Sequence, residues 1–84
     1  MDELPIQSGD DVVRVRQQVR VVAADSGLSL VDQTKLVTAA SELARNTLVH
    51  GGGGTARVEV VTSVNGRNGV RCVLVSRSRT SYVC

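Results

Sequence analysis

The chain has 84 residues, with ten Lys and Arg against eight Asp and Glu and a formal net charge of +2, so its overall charge gives a polyanion or a membrane surface little reason to bind. Phe and Trp are absent and Tyr82 is the one tyrosine, which argues against a base-stacking nucleic-acid module and its aromatic platforms. A chain this short forms one domain, buries roughly 60 to 65% of its unfolded surface, and must build its core from Val, Leu and Ala.

No apolar run approaches the roughly 18 residues of a membrane span, and the first residues, MDELPIQSG, lack the basic and apolar regions of a signal peptide. The expectation is a soluble cytoplasmic protein with neither a membrane nor a nucleic acid as partner. The local excess of Arg67, Arg71, Arg77 and Arg79 near the C-terminus is too small to alter that. Cys72 and Cys84 form no C-x-x-C pair and have one His for company, so they read as reduced thiols, not as a zinc or redox site.

In chain order, ELPIQ at residues 3–7 suits an edge strand, where Pro5 is tolerated despite its missing N–H. Ser8 followed by Asp11 has capping-box spacing, and Asp10 and Asp11 suit the positive end of a helix dipole. Val12, Val15, Val19, Val22 and Ala23 then recur at helical spacing. Valines make this a weak helix by propensity, one that depends on tertiary packing, and Gly27 is a natural stop.

Ser29 and Asp32 repeat the start signal ahead of QTKLVTAASELARNTLVH, whose buried face should comprise Leu36, Val37, Ala40, Leu43, Ala44 and Leu48. After four glycines the period changes to two. TARVEVVTSV and GVRCVLVS read as strands, and NGRNG between them carries two Asn-Gly turn signals, which predicts a hairpin. Two helices on one face of a small mixed or antiparallel sheet give an α+β fold, a two-layer α/β sandwich. The last residues, SRSRTSYVC, show neither periodicity and read as irregular.

The stretch SELARNTLVHGGGG, residues 41–54, carries the chemistry. Glu42, Asn46 and His50 stand at steps of four, so they share one edge of a helix, bordering its apolar face. An amide oxygen suits Mg²⁺, which keeps several waters and takes few protein oxygens beside phosphates. A carboxylate one turn away can orient or deprotonate a nucleophile. Glycines beyond them accept positive φ and close backbone approach. The same spacing also arises on solvated helix faces, and a glycine run also serves as a flexible connector.

The order GDDVVRVRQQVRVVAADSGLSLVDQTKLVTAASELARNTLVHGGGG resembles the start of the switch-type anti-sigma regulatory serine/threonine kinases of bacteria, the RsbT group. These belong to the ATPase superfamily that contains DNA gyrase, histidine kinases and MutL. The resemblance runs from about residue 3 to about residue 75 and is most specific over LVDQTKLVTAASELARNT. It implies a partial histidine-kinase-like ATPase (Bergerat-type) fold with ATP and Mg²⁺ as cofactors. By the same resemblance the N-box helix falls on residues 42–51, Glu42 is the general base, Asn46 is the Mg²⁺ ligand bridging to ATP, and Arg45 and His50 line the site. The implied substrate is a Ser or Thr of a STAS-domain antagonist, with a phosphatase or sigma factor as further partners.

In that family the strand matching VRCVLVS runs into an Asp-x-Gly-x-Gly segment that recognises adenine, followed by a lid over the phosphates. Here no acidic residue and no glycine follows Gly69. The expectation is therefore a domain truncated after its N-box half, residues 1–76, with an irregular divergent tail at 77–84. Such a chain would bind MgATP poorly. A non-catalytic protein-binding module derived from the family is the alternative.

Overall fold

A computed structural model describes residues 3–62, 66, 68–78 and 81–83, the side chain of Tyr82 excepted. The chain folds as strand β1 (Leu4–Ile6), helices α1 (Gly9–Asp25) and α2 (Leu30–Val49), and strands β2 (Gly54–Thr62), β3 (Asn68–Ser76) and β4 (Ser81–Val83). The strands form one antiparallel sheet in the order β1-β2-β3-β4. Both helices pack against the sheet and against each other, so the fold is the expected α+β two-layer sandwich.

The layers meet because each element presents one apolar face. On α1, Val12, Val15, Val19, Val22 and Ala23 are buried, the five positions that helical spacing selects. On the sheet, Ile6, Ala56, Val58, Cys72 and Leu74 are buried, at alternate positions along each strand as the two-residue strand period requires. The register holds them on one face, with Leu4 opposite Ala56, Val58 opposite Cys72 and Ala56 opposite Leu74. Leu74 and Ile6 are the largest of the fully buried side chains. The buried apolar residues described on the helices are Val and Ala alone.

Four particulars differ from the sequence expectation. On α2 the fully covered residues are Val37, Ala40, Ala44 and Thr47, whereas Leu36, Leu43 and Leu48 are half-buried at the margin of the core. Thr47 enters the core because its hydroxyl donates to the Leu43 carbonyl at 2.8 Å, which removes the cost of burying it. At the start of α1, Ser8 occupies the cap position without a side-chain bond, and Asp11 instead accepts the Gln7 N–H at 2.8 Å. Ser29 does cap α2, accepting the Asp32 N–H at 3.1 Å.

The third difference lies in the hairpin. Asn68 and Gly69, the second Asn-Gly signal, lie inside β3, opposite Thr62 and Val61. Of the first signal, Gly66 has φ 82°, the left-handed conformation that glycine tolerates, and Asn65 lies outside the described residues. The fourth is the tail, which is not wholly irregular. Residues 81–83 pair with β3 as its outer neighbour, Val83 opposite Val73 and Ser81 opposite Val75. Three residues among serines and arginines are too few to show a period, so the edge strand is set by the β3 backbone beside it.

Candidate functional site

Helix α2 carries the site residues along its second half. Glu42, Arg45, Asn46 and His50 are all exposed, and the side chains of Glu42 and Asn46 have no hydrogen-bond or ion-pair partner among the described residues. The opposite side of the same turns is closed by Ala40, Ala44 and Thr47. The helix therefore fixes the backbone of the polar edge while its side-chain polar atoms stay open. His50 caps α2, its N–H bonding the Asn46 carbonyl at 2.9 Å.

The four glycines form a packed turn, not a flexible tether. The Gly51 N–H reaches the Asn46 carbonyl at 3.3 Å and the Gly53 N–H reaches the Thr47 carbonyl at 3.0 Å. Gly52 and Gly53 have φ of 73° and 94°, which turn the chain back towards the sheet. A Cβ on Gly53 would stand 2.8 Å from the Ile6 carbonyl oxygen, and one on Gly54 would fall on the Val75 carbonyl. The close backbone approach that glycine permits here is to the chain's own strands. The turn places the end of α2 directly over the start of β2 and the end of β3.

Two clefts of about 260 and 270 Å³ open on the outer side of the helices. The first is lined by Arg16 and Arg20 of α1 and by Gln33, Thr34, Val37 and Thr38 of α2. The second joins Arg16 to Thr38, Ser41, Glu42 and Arg45. Ligand pockets commonly run from roughly 300 to 1,000 Å³, so both clefts lie just below the small end of that range, and Asn46 lines neither.

Glu42 and Arg45 thus share a cleft, and Asn46 and His50 continue the same helix edge beyond it. Arg16 is the residue that sequence reading missed. Its signal was present in the spacing of Arg16 and Arg20, one turn apart on the side of α1 that the core does not cover, but the meeting with α2 is tertiary.

The donor set fits Mg²⁺ in kind. One carboxamide oxygen and one carboxylate, both open to solvent, leave room for the waters and phosphate oxygens that the ion prefers. A dedicated protein cage is a different case, and no group of three or more His, Cys, Asp or Glu suited to a metal occurs among the described residues. The one displaced acidity among the described residues lies elsewhere. On β2, Glu59 is held below the usual carboxylate range, chiefly by its hydrogen bonds from Arg71, at 3.1 Å from Nε and 2.5 Å from Nη2; desolvation opposes this, and the charges of Arg71 and Arg57 add to the lowering.

The architecture and this helix edge together define a small α+β domain that exposes a carboxylate and an amide on its longest helix. Comparison with known proteins adds a relative. The serine/threonine-protein kinase RsbT of Bacillus subtilis (strain 168) is 40% identical over 63 residues, which make up 75% of this chain and 47% of that kinase. The chain therefore spans about half the length of the relative it matches. No family model and no solved structure matches it. No helix among the described residues is long and apolar enough to cross a membrane.

Proposed function

We propose that this chain is an anti-sigma regulatory factor of the ATP-binding serine/threonine kinase type, acting on a STAS-domain antagonist in sigma-factor control. The observation that carries this reading is the 40% identity to the kinase RsbT over 63 residues. The open, uncommitted state of Glu42 and Asn46 on a well-packed helix supports it.

Mg²⁺, when bound, neutralises phosphate charge as the phosphoryl group leaves ADP. Asn46 would hold that ion through its amide oxygen. The Glu42 carboxylate accepts the proton of the attacking Ser or Thr hydroxyl, whose oxygen forms the new bond to phosphorus as the bond to the ADP oxygen breaks. Arg45 and His50 flank these two residues and line the approach. Such chemistry needs the base and ribose to be held and water to be excluded. These 84 residues contain no Asp-x-Gly-x-Gly segment for adenine, and Asn46 lines neither of the two clefts described above. The chain by itself therefore binds MgATP weakly and transfers phosphate slowly.

The exposed groove between α1 and α2, whose two clefts do not include Asn46, favours a second reading, a non-catalytic module that binds a STAS protein, phosphatase or sigma factor. Capture of a purified STAS-domain protein with and without MgATP, combined with titration calorimetry of MgATP, separates the two. Nucleotide-dependent capture lost in Asn46→Ala supports the kinase reading. Capture indifferent to nucleotide and to Asn46→Ala overturns it in favour of the module.

A further inference from the structure

We propose that Cys72 and Cys84 form an intramolecular disulfide site, closed by a small-molecule disulfide such as oxidised glutathione, which staples the end of the chain to β3. The β3–β4 register carries it. Val75 faces Ser81, Leu74 faces Tyr82 and Val73 faces Val83, so each step back along β3 is one step forward along β4. The next pair in that register is Cys72 with Cys84, which lies outside the described residues and follows Val83 in the chain. Residues 77–80 join the two strands, and a loop that short fixes the register of a hairpin. Read along the chain, the cysteines show no C-x-x-C spacing; the strand pairing is what relates their positions.

Pairing of this kind suits the bond. Residues directly opposite in an antiparallel ladder have Cα atoms about 4.5 or 5.5 Å apart, and a disulfide spans Cα separations of about 4.4 to 6.8 Å. Directly opposite residues also share one face of the sheet. For Cys72 that is the buried face it holds with Ala56, Val58 and Leu74. Burial then sets the order of events. The Cys72 thiol is 1% exposed, so the first exchange falls to Cys84 at the chain end. Its thiolate attacks one sulfur of oxidised glutathione, which forms a mixed disulfide and releases one glutathione thiolate. Cys72 gives up its proton and attacks the Cys84 sulfur, and the second glutathione thiolate leaves. Two protein thiols are thus oxidised as one glutathione disulfide is reduced to two thiols, which take up the two protons. In a reducing compartment the exchange runs backwards and both cysteines stay thiols. The closed bond would tie down the three-residue β4 together with Arg77, whose N–H bonds the Gly53 carbonyl at 2.8 Å.

The test oxidises the full chain at micromolar concentration with oxidised glutathione, blocks the remaining thiols with iodoacetamide and digests the product with trypsin. Cleavage after Arg71, Arg77 and Arg79 leaves the two cysteines on separate peptides, residues 72–77 and 80–84. The expected product is those two peptides joined by a disulfide, from a chain that runs as a monomer on a non-reducing gel. The oxidised chain should also melt at least about 5 °C above its dithiothreitol-treated form. Cys84→Ser should abolish both the cross-link and the shift. Val83→Cys combined with Cys84→Ser keeps a thiol near the chain end but moves it to the other face of the sheet, and it should close at least about tenfold more slowly.

No cross-linked peptide, a lasting mixed disulfide with glutathione at Cys84, or a dimer linked through Cys84 would overturn the proposal. Equal closure rates in the parent and in the shifted variant would also overturn it, because they would show the reach of a loose tail and not a register. None of these results involves nucleotide, Glu42 or Asn46, so failure here is distinct from failure of the kinase reading.

Discussion

The two sides of the last turns of α2 obey different rules. On the inner side, Ala44 and Thr47 are fully buried and the following glycines press against Ile6, Val75 and Ser76, so nearly every atom is fixed by a neighbour. On the outer side, one or two residues away, Glu42 and Asn46 touch nothing that commits their polar atoms. The difference teaches that a short chain can hold a polar edge in place by overspecifying the backbone beneath it. Residues of the inner side should therefore control stability, and those of the outer side should control binding and chemistry.

The sharpest way to break that contrast is Gly54→Ala, whose new Cβ would fall on the Val75 carbonyl within the β2–β3 ladder. Backbone cannot yield as a side-chain tip can, so a loss of about 3 kcal/mol is expected from urea denaturation. Gly52→Ala, in open space at φ 73°, should cost only about 1 to 2 kcal/mol through its backbone conformation. If the two substitutions cost the same, the glycine run is a loose connector and the contrast fails.

A smaller effect tests the helix starts. Ser29→Ala removes the bond to the Asp32 N–H and should cost about 1 kcal/mol, whereas Ser8→Ala removes no side-chain cap bond and should change stability by less than about 0.5 kcal/mol. Thermal melts of the two variants in parallel decide this.

Smaller still is the exposed sheet cluster. Because its pKa is lowered in the fold, Glu59 stabilises the fold while it is ionised. That contribution is present above the ordinary carboxylate value of 4.5 and is lost as the pH falls through the lowered folded value. Glu59→Gln should therefore melt slightly below the parent at pH 7, and the two melting curves should converge in strong acid. A gap that widens in acid would reverse the assignment.

The smallest expected change in stability is at the reactive edge itself. Asn46→Ala and Glu42→Ala should unfold within about 0.5 kcal/mol of the parent, even though MgATP binding or phosphate transfer is expected to suffer. Marked destabilisation in either would mean that the outer side is structural too.

Much of this arrangement was legible because burial follows the helical and strand periods. Spacing alone selected all five buried positions of α1, and alternation located the β2–β3 hairpin. What escaped reading depends on partners distant in sequence. Thr47 looks polar until its bond to the Leu43 carbonyl is seen, and β4 owes its form to the neighbouring backbone of β3. Leu36, Leu43 and Leu48 stay half-buried because the two helices and the sheet together are too small to cover every leucine. For the site, the shared edge of Glu42 and Asn46 follows from counting along one helix, whereas the approach of Arg16 to Glu42 depends on how two helices pack.

The glycine turn has a mechanical side. The Thr47 carbonyl accepts the Gly53 N–H at 3.0 Å, and the Gly53 carbonyl accepts the Arg77 N–H at 2.8 Å. These two bonds join the end of α2 to the end of β3 through a single residue, Gly53, like a hinge pin with no slack. A load applied to the Asn46 turn is passed to the segment that follows β3 without stretching the loop between them.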